Sequence, residues 1–254
     1  MMTILKTMIV TSLRDKITLF YSIIFPIGLL IGLGYYFNND AYTPKLLTGV
    51  IALSSLFWGV SGIAFQVHGQ RSRGVYQLLK LTPFPVIGFI FLMTAARTIL
   101  GIVINLVVLF TGTLFFNVAI NLGQVLALLG MMFIGILCFT CLGFLISNFA
   151  HNEGQISIIS NLLFMPMIFG TDTFYSLHSA PGWVVKMGEL FPLGYYVHGL
   201  RSALGTSNMS FTGSVMILVI FTFVLLLLSA VTFNQEGKGQ IRLKKVMRNP
   251  DHVA

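Results

Sequence analysis

Apolar residues along the chain gather into six long runs, approximately 17–37, 46–66, 86–115, 122–147, 155–170 and 212–233, separated by clusters of charge, Pro, Asn or Gly. A hydrocarbon core of about 30 Å takes roughly 20 helical residues, so each run reads as a membrane-crossing helix. The third is long enough to tilt or to end in an interfacial turn. Ahead of the first, Ile4, Leu5, Met8, Ile9 and Leu13 recur at helical spacing opposite Lys6 and Thr7. That pattern predicts an amphipathic helix over 1–16 lying in the interface, with a frayed end as the alternative. A signal peptide is set aside, because the following run is too long and meets no small-residue cleavage pattern before Tyr35 and Tyr36.

Residues 171–211 break the pattern. Pro181, Trp183, Pro192, Tyr195 and Tyr196 mix breakers with aromatics, which predicts partly helical structure at or dipping into the outer interface. The expected fold is an all-α membrane protein, one transmembrane domain over 1–254. It comprises six transmembrane helices, an interfacial helix over 1–16, a cytoplasmic loop over 67–85, an external segment over 171–211 and a basic tail over 234–254.

Composition agrees. Hydrophobic residues make up 56% of the chain and charged residues 9%, against about 25% charge in soluble domains, which excludes a soluble globular protein. The 23 Phe and only two Cys exclude disorder and a disulfide scaffold. The net charge of +8 is read through its placement. Lys6, Arg14, Lys16, Arg71, Arg73, Lys80, Lys238, Arg242, Lys244, Lys245 and Arg248 fall on one side, Lys45, Lys186 and Arg201 on the other, and Arg97 inside a span. The positive-inside rule then puts both termini in the cytoplasm, in a multi-pass protein of a bacterial-type cytoplasmic membrane. The expected partners are membrane lipids, not nucleic acid.

Enzymatic constellations are missing. Gly237-Lys238-Gly239 lacks the upstream glycine and strand of a phosphate-binding loop, and the five His lie apart rather than on one face. Cys138 and Cys141 lie within a span where nothing nearby would activate a thiolate, so they read as packing. No metal, cofactor or catalytic residue is therefore expected on this chain. Gly28 and Gly32 are spaced for close helix approach. Pro26 and Pro166 predict kinks, and Asn105, Asn148 and Asn161 predict interhelical hydrogen bonds. Arg97 lies about 18 Å along its helix from the span's edge, deep enough that it should face protein or water. The transport path, a subunit seam and snorkelling all stay open for it.

The loop QRSRGVYQLLKLTPFP, residues 70–85, joins a basic start, a glycine, a helical pattern and a Thr-Pro stop. It resembles the loop after the second span in membrane subunits of type-2 ATP-binding cassette exporters. Arg71, Arg73, Gly74, Leu79, Thr82 and Pro83 match that pattern, while Gln70, Ser72 and Gln77 stand where the family usually has acids. Residues 181–201, PGWVVKMGELFPLGYYVHGLR, are similar to the family's external Pro-aromatic stretch through Pro192, Leu193, Tyr195 or Tyr196, and Arg201, with Phe191 replacing the usual Asn. The resemblance implies that the matched loop residues couple to a separate nucleotide-binding ATPase subunit, which holds the ATP and Mg. It also implies a second permease copy or paralogue across a central path.

Arg97, Asp172, Glu189, Tyr195, Tyr196 and Arg201 are the candidates for transport path or gate. Export of an amphiphilic or hydrophobic drug, lipid or peptide is the expected function. A stand-alone secondary transporter, or a membrane immunity or accessory protein, is the alternative.

Overall fold

The computed structural model of the protein describes residues 10, 16–39, 42–75, 86–116, 118, 120–175, 181–207 and 209–248. Nearly all of the interfacial helix expected over 1–16 therefore lies outside the described residues. Among the described residues, eight helices follow in order: α1 (Lys16–Leu19, Phe20–Ile24 and Phe25–Phe37 in one continuous run), α2 (Thr43–Ser72), α3 (Val86–Phe116), α4 (Leu122–Phe149), α5 (Glu153–Phe169), α6 (Gly182–Glu189), α7 (Pro192–Ala203) and α8 (Phe211–Arg248). Five stretches among the described residues are long and apolar enough to cross a membrane: Phe20–Phe37, Thr43–Ser72, Phe91–Phe116, Leu122–Phe149 and Phe211–Thr232. The expected sixth is the 17-residue helix α5, which at 1.5 Å per residue reaches about 25 Å and so lies at the short limit for a span. The protein is an all-α membrane protein.

Local chemistry sets the helix boundaries. Asn38 ends α1 with φ of 39°, a left-handed conformation that Asn tolerates better than most residues. Pro44 sits in the first turn of α2, where its missing N–H costs nothing. Asn121 and Gln124 form a reciprocal capping box on α4, and Asn152 accepts from the Gln155 N–H to start α5.

The helix α2 is the central one. Every residue from Leu46 to Leu56 is buried, and α1, α3, α4 and α7 pack around it. Glycine permits the closest approaches. A Cβ on Gly143 of α4 would lie 2.3 Å from the Val60 carbonyl of α2, so these two backbones touch with no side chain between them. By contrast, a Cβ on Gly28 or Gly32 of α1 would have nothing within 4 Å, and the outward face of these glycines is uncovered in the single chain.

Two boundaries differ from expectation. Helix α2 runs through Ser72, so the first residues assigned to the 67–85 loop belong to its last turns; they remain helical because Gly62–Ser72 packs along α4. Helix α8 continues to Arg248, carrying the backbone of the supposed tail well past its apolar stretch, which ends at Thr232. The external segment divides as α6, which exposes Trp183 and Met187 and is followed by an exposed Leu190, and α7, which buries Leu193, Tyr196, Val197 and Leu200 against α2, α4 and α8.

Candidate functional site

At one end of the bundle, α2 stops in a tight turn. Arg71 lies on its last turn and reaches inward, Nη1 donating to the Ser147 carbonyl at 3.1 Å and Nη2 to Asn148 Oδ1 at 3.0 Å. A cation at the last carbonyls of α4 is favourably placed against that helix's dipole. Asn148 passes the connection on, donating to the Ser229 carbonyl at 3.0 Å and to Thr232 Oγ1 at 2.8 Å. Arg71 thus ties α2 to α4, and Asn148 ties both to α8. Arg73 is exposed. Gly74 follows with φ of 70° and donates its N–H to the Arg71 carbonyl at 3.1 Å, a left-handed turn that glycine adopts without a Cβ penalty. Leu79, Thr82 and Pro83 lie outside the described residues.

The opposite end carries an ionic cluster joining segments far apart in sequence. Arg201, on α7 and 5% exposed, donates from Nη1 to Asp172 Oδ2 at 2.9 Å and from Nη2 to the Thr173 carbonyl at 2.9 Å. Its Nε lies 3.4 Å from Thr48 Oγ1 on α2. Lys45 Nζ is 3.3 Å from Asp172 Oδ1, an ion contact without hydrogen-bond alignment. Tyr42 donates to the Phe174 carbonyl at 3.0 Å. The chain leaving α5 is therefore fastened to the start of α2 and to the last turn of α7. Burial lowers the Arg201 pKa, and Asp172 opposes that shift. Burial also raises the pKa of Tyr42, against the pull of Arg201.

Tyr195 and Tyr196 separate. Tyr195 donates to the Glu189 carbonyl at 3.1 Å, stapling α6 to α7 at the surface. Tyr196 is wholly buried, and its hydroxyl lies 2.8 Å from Ser55 Oγ of α2. Asn105 of α3 donates to that same oxygen at 2.8 Å. A Cβ on Gly135 would fall 2.2 Å from the Tyr196 ring, so α4 makes room for the tyrosine. Asn105 and Asn148 bond between helices as expected. Asn161 instead faces outward from α5.

His198 sits one turn from Arg201, and burial, then Arg201 and Lys45, lower its pKa below 6.5 while Asp172 acts the other way. The neutral form is thus favoured in the folded state. The unfolded chain binds the additional proton, so stability is complete above about pH 6.5 and declines as pH falls through that value toward the lower folded pKa. Thermal unfolding in detergent is expected to shift downward between pH 7.5 and 5.5, and His198→Gln to remove the part of the shift that begins near 6.5. An unchanged pH profile in that variant would count against this assignment.

Arg97 is 1% exposed between α2 and α3. Its guanidinium lies 4.0 Å over the Trp58 ring, so it faces protein. Cys138 and Cys141 are buried free thiols.

The family model for the ABC-2 type transporter matches residues 1–205. The chain belongs to the ABC-2 type transporter family. It is accordingly the transmembrane subunit of an ABC transporter, a transport component rather than a soluble enzyme. No curated protein matches it. Within this ABC-2 type transporter subunit, sequence reasoning placed Asp172 and Arg201 as separate candidates. Their pairing across 29 residues carries no local pattern that would reveal it. Thr48, Ser55 and Trp58 were missed because on an almost wholly buried helix no periodicity distinguishes one position from the next.

Proposed function

We propose that this chain is the membrane half of an ATP-driven exporter, in which a separate ATPase subunit binds ATP and Mg and pushes on the end of α2. One observation carries the reading: the most buried helix of the bundle ends at an exposed Arg73 and a left-handed Gly74. A push delivered there acts on the helix that α1, α3, α4 and α7 all contact. With Arg71, Arg73 and the basic tail on the cytoplasmic side, both termini are cytoplasmic in a bacterial-type membrane. The cargo is amphiphilic or hydrophobic, in keeping with a chain of so little charge.

A second copy or a paralogue completes the path. The face of α5 supports this, because Ile158, Leu162, Met165 and Phe169 are exposed along one stripe with Asn161 among them. An amide turned toward hydrocarbon is costly, whereas a facing helix or a wet path satisfies it.

The test is extraction of the tagged chain from its native membrane in mild detergent, with identification of stoichiometric partners and assay of ATP hydrolysis. Arg73→Glu with Gly74→Pro is expected to lower the co-purified ATPase at least tenfold. Arg73 is exposed, so Arg73→Glu alone should leave yield and thermal unfolding at wild-type values and separates loss of coupling from the backbone change that proline imposes at Gly74, where φ is 70° and the N–H is bonded. A wild-type chain recovered with no nucleotide-hydrolysing partner, under conditions that preserve a known exporter complex, would instead favour a stand-alone transporter or an immunity protein.

A further inference from the structure

Helix α2 is not α-helical throughout. Phe57–Ser61 form a π turn, which holds one residue more than an α turn and weakens the regular hydrogen-bond ladder where it occurs. A second π turn, Phe20–Ile24 of α1, lies against it. The Tyr21 and Phe25 rings stand 5.7 and 6.3 Å from the Phe57 ring, and Ser54 donates to the Ser22 carbonyl at 2.6 Å. Two neighbouring helices thus share one irregular level.

The other side of the α2 turn is held by Arg97. Its Nε and Nη2 lie 3.4 and 3.3 Å from the Trp58 carbonyl, inside the π turn. The Trp58 indole donates back to the Arg97 carbonyl at 2.9 Å. Beyond the turn, Nη1 reaches Gln66 Oε1 at 3.3 Å. One guanidinium therefore touches α2 both within the irregular turn and beyond it, tying the turn to the Gly62–Ser72 half. Glycines clear the space: a Cβ on Gly62 would lie 1.2 Å from Arg97 Nη2, and one on Gly101 2.7 Å from Trp58 Cδ1. The guanidinium contacts, at 3.3–3.4 Å, are long for hydrogen bonds.

We infer that Phe57–Ser61 is the joint on which Gly62–Ser72 swings relative to Thr43–Leu56, and that Arg97 is the positioning residue that latches the joint in the arrangement seen. The inference rests on the proposed push at the end of α2 and says where within the helix that push is absorbed. The Gly62–Ser72 half carries Arg71 and leads to Arg73 and Gly74, while the Thr43–Leu56 half carries Thr48 and Ser55, which contact α7.

Hydrogen–deuterium exchange on the ATPase-bound complex tests it, comparing the nucleotide-free state with one trapped by ATP and vanadate. In the wild type, the amides of 57–66 are expected to exchange at least fivefold differently between the two states. Deleting Ser61 removes the additional residue and restores an α turn with both flanks in register, so that difference should vanish while the complex stays assembled. Arg97→Lys keeps the charge but loses the planar fork, and should leave the segment fast-exchanging in both states. If the Ser61 deletion does not fold, Arg97→Lys decides alone. Wild-type nucleotide dependence in either folded variant would overturn the joint and leave the coupling reading standing. So would ATP hydrolysis by the wild type with exchange in 57–66 unchanged. A chain that binds no ATPase would overturn the coupling reading and this inference with it.

Discussion

Replacing Arg201 with Met is expected to destabilise the folded chain by about 3 kcal/mol, the low end of what breaking a buried ion pair costs. The low end applies because the Asp172 side chain is 27% exposed and keeps Lys45 at 3.3 Å. What is lost is the guanidinium that holds Asp172, the Thr173 carbonyl and Thr48 together. Thermal unfolding in detergent should fall by several degrees. Adding Asp172→Asn removes the stranded charge and should recover part of the loss, giving a coupling energy above about 1 kcal/mol in a double-mutant cycle. An Arg201→Met chain as stable as wild type would mean that the cluster is an ornament of the surface and not a clasp.

Gly143→Val is expected to be at least as severe, about 3 kcal/mol or more, at or beyond the usual upper range for overpacking. A Cβ there meets the Val60 carbonyl oxygen at 2.3 Å, Ile63 Cγ2 at 2.4 Å and Val60 Cα at 2.8 Å. Two of those atoms are backbone and cannot rotate aside, so α4 must move off α2. Gly130→Ala on the same helix is the control, since nothing lies within 4 Å of its Cβ. It should be neutral or gain up to about 1 kcal/mol from helix propensity. Equal effects at the two glycines would show that flexibility of α4, rather than its contact with α2, is what glycine provides.

The spans were legible because apolar length is a one-dimensional property. The expected span over 122–147 became Leu122–Phe149, whereas 155–170 became the 17-residue Glu153–Phe169, which is shorter than the five stretches long enough to cross among the described residues. The partners of Arg97 were not legible. They depend on a π turn that has no compositional signature and on Gly62 and Gly101, whose meaning appears only when α3 lies beside α2. Arg71 and Arg73 looked equivalent as two basic residues of one loop. They stand two residues apart, about 200° of helical rotation, on the last turn of α2 and just past it, which turns Arg71 into the bundle and leaves Arg73 outside. Asp172 and Arg201 were each marked, yet the bond between them is a fact of tertiary structure.

The burial of α2 has a consequence for biogenesis. It is the second span to leave the ribosome, but the surfaces that cover it belong to α3, α4 and α7, all made later. Until they arrive, Thr48, Ser54 and Ser55, all buried in the finished chain, depend on α2 itself and on α1 for their hydrogen bonds. Ser54 alone finds a partner on α1, through the Ser22 carbonyl. Ser55 and Thr48 donate meanwhile to carbonyls of their own helix, at Ile51 and at Pro44 or Lys45, and only later take up Asn105 and Tyr196, and Arg201. Chains cut short before residue 195 would keep these local bonds and lack the ties to α7 through Tyr196 and Arg201, so the local bonds hold α2 through the membrane before its later neighbours lock it in place.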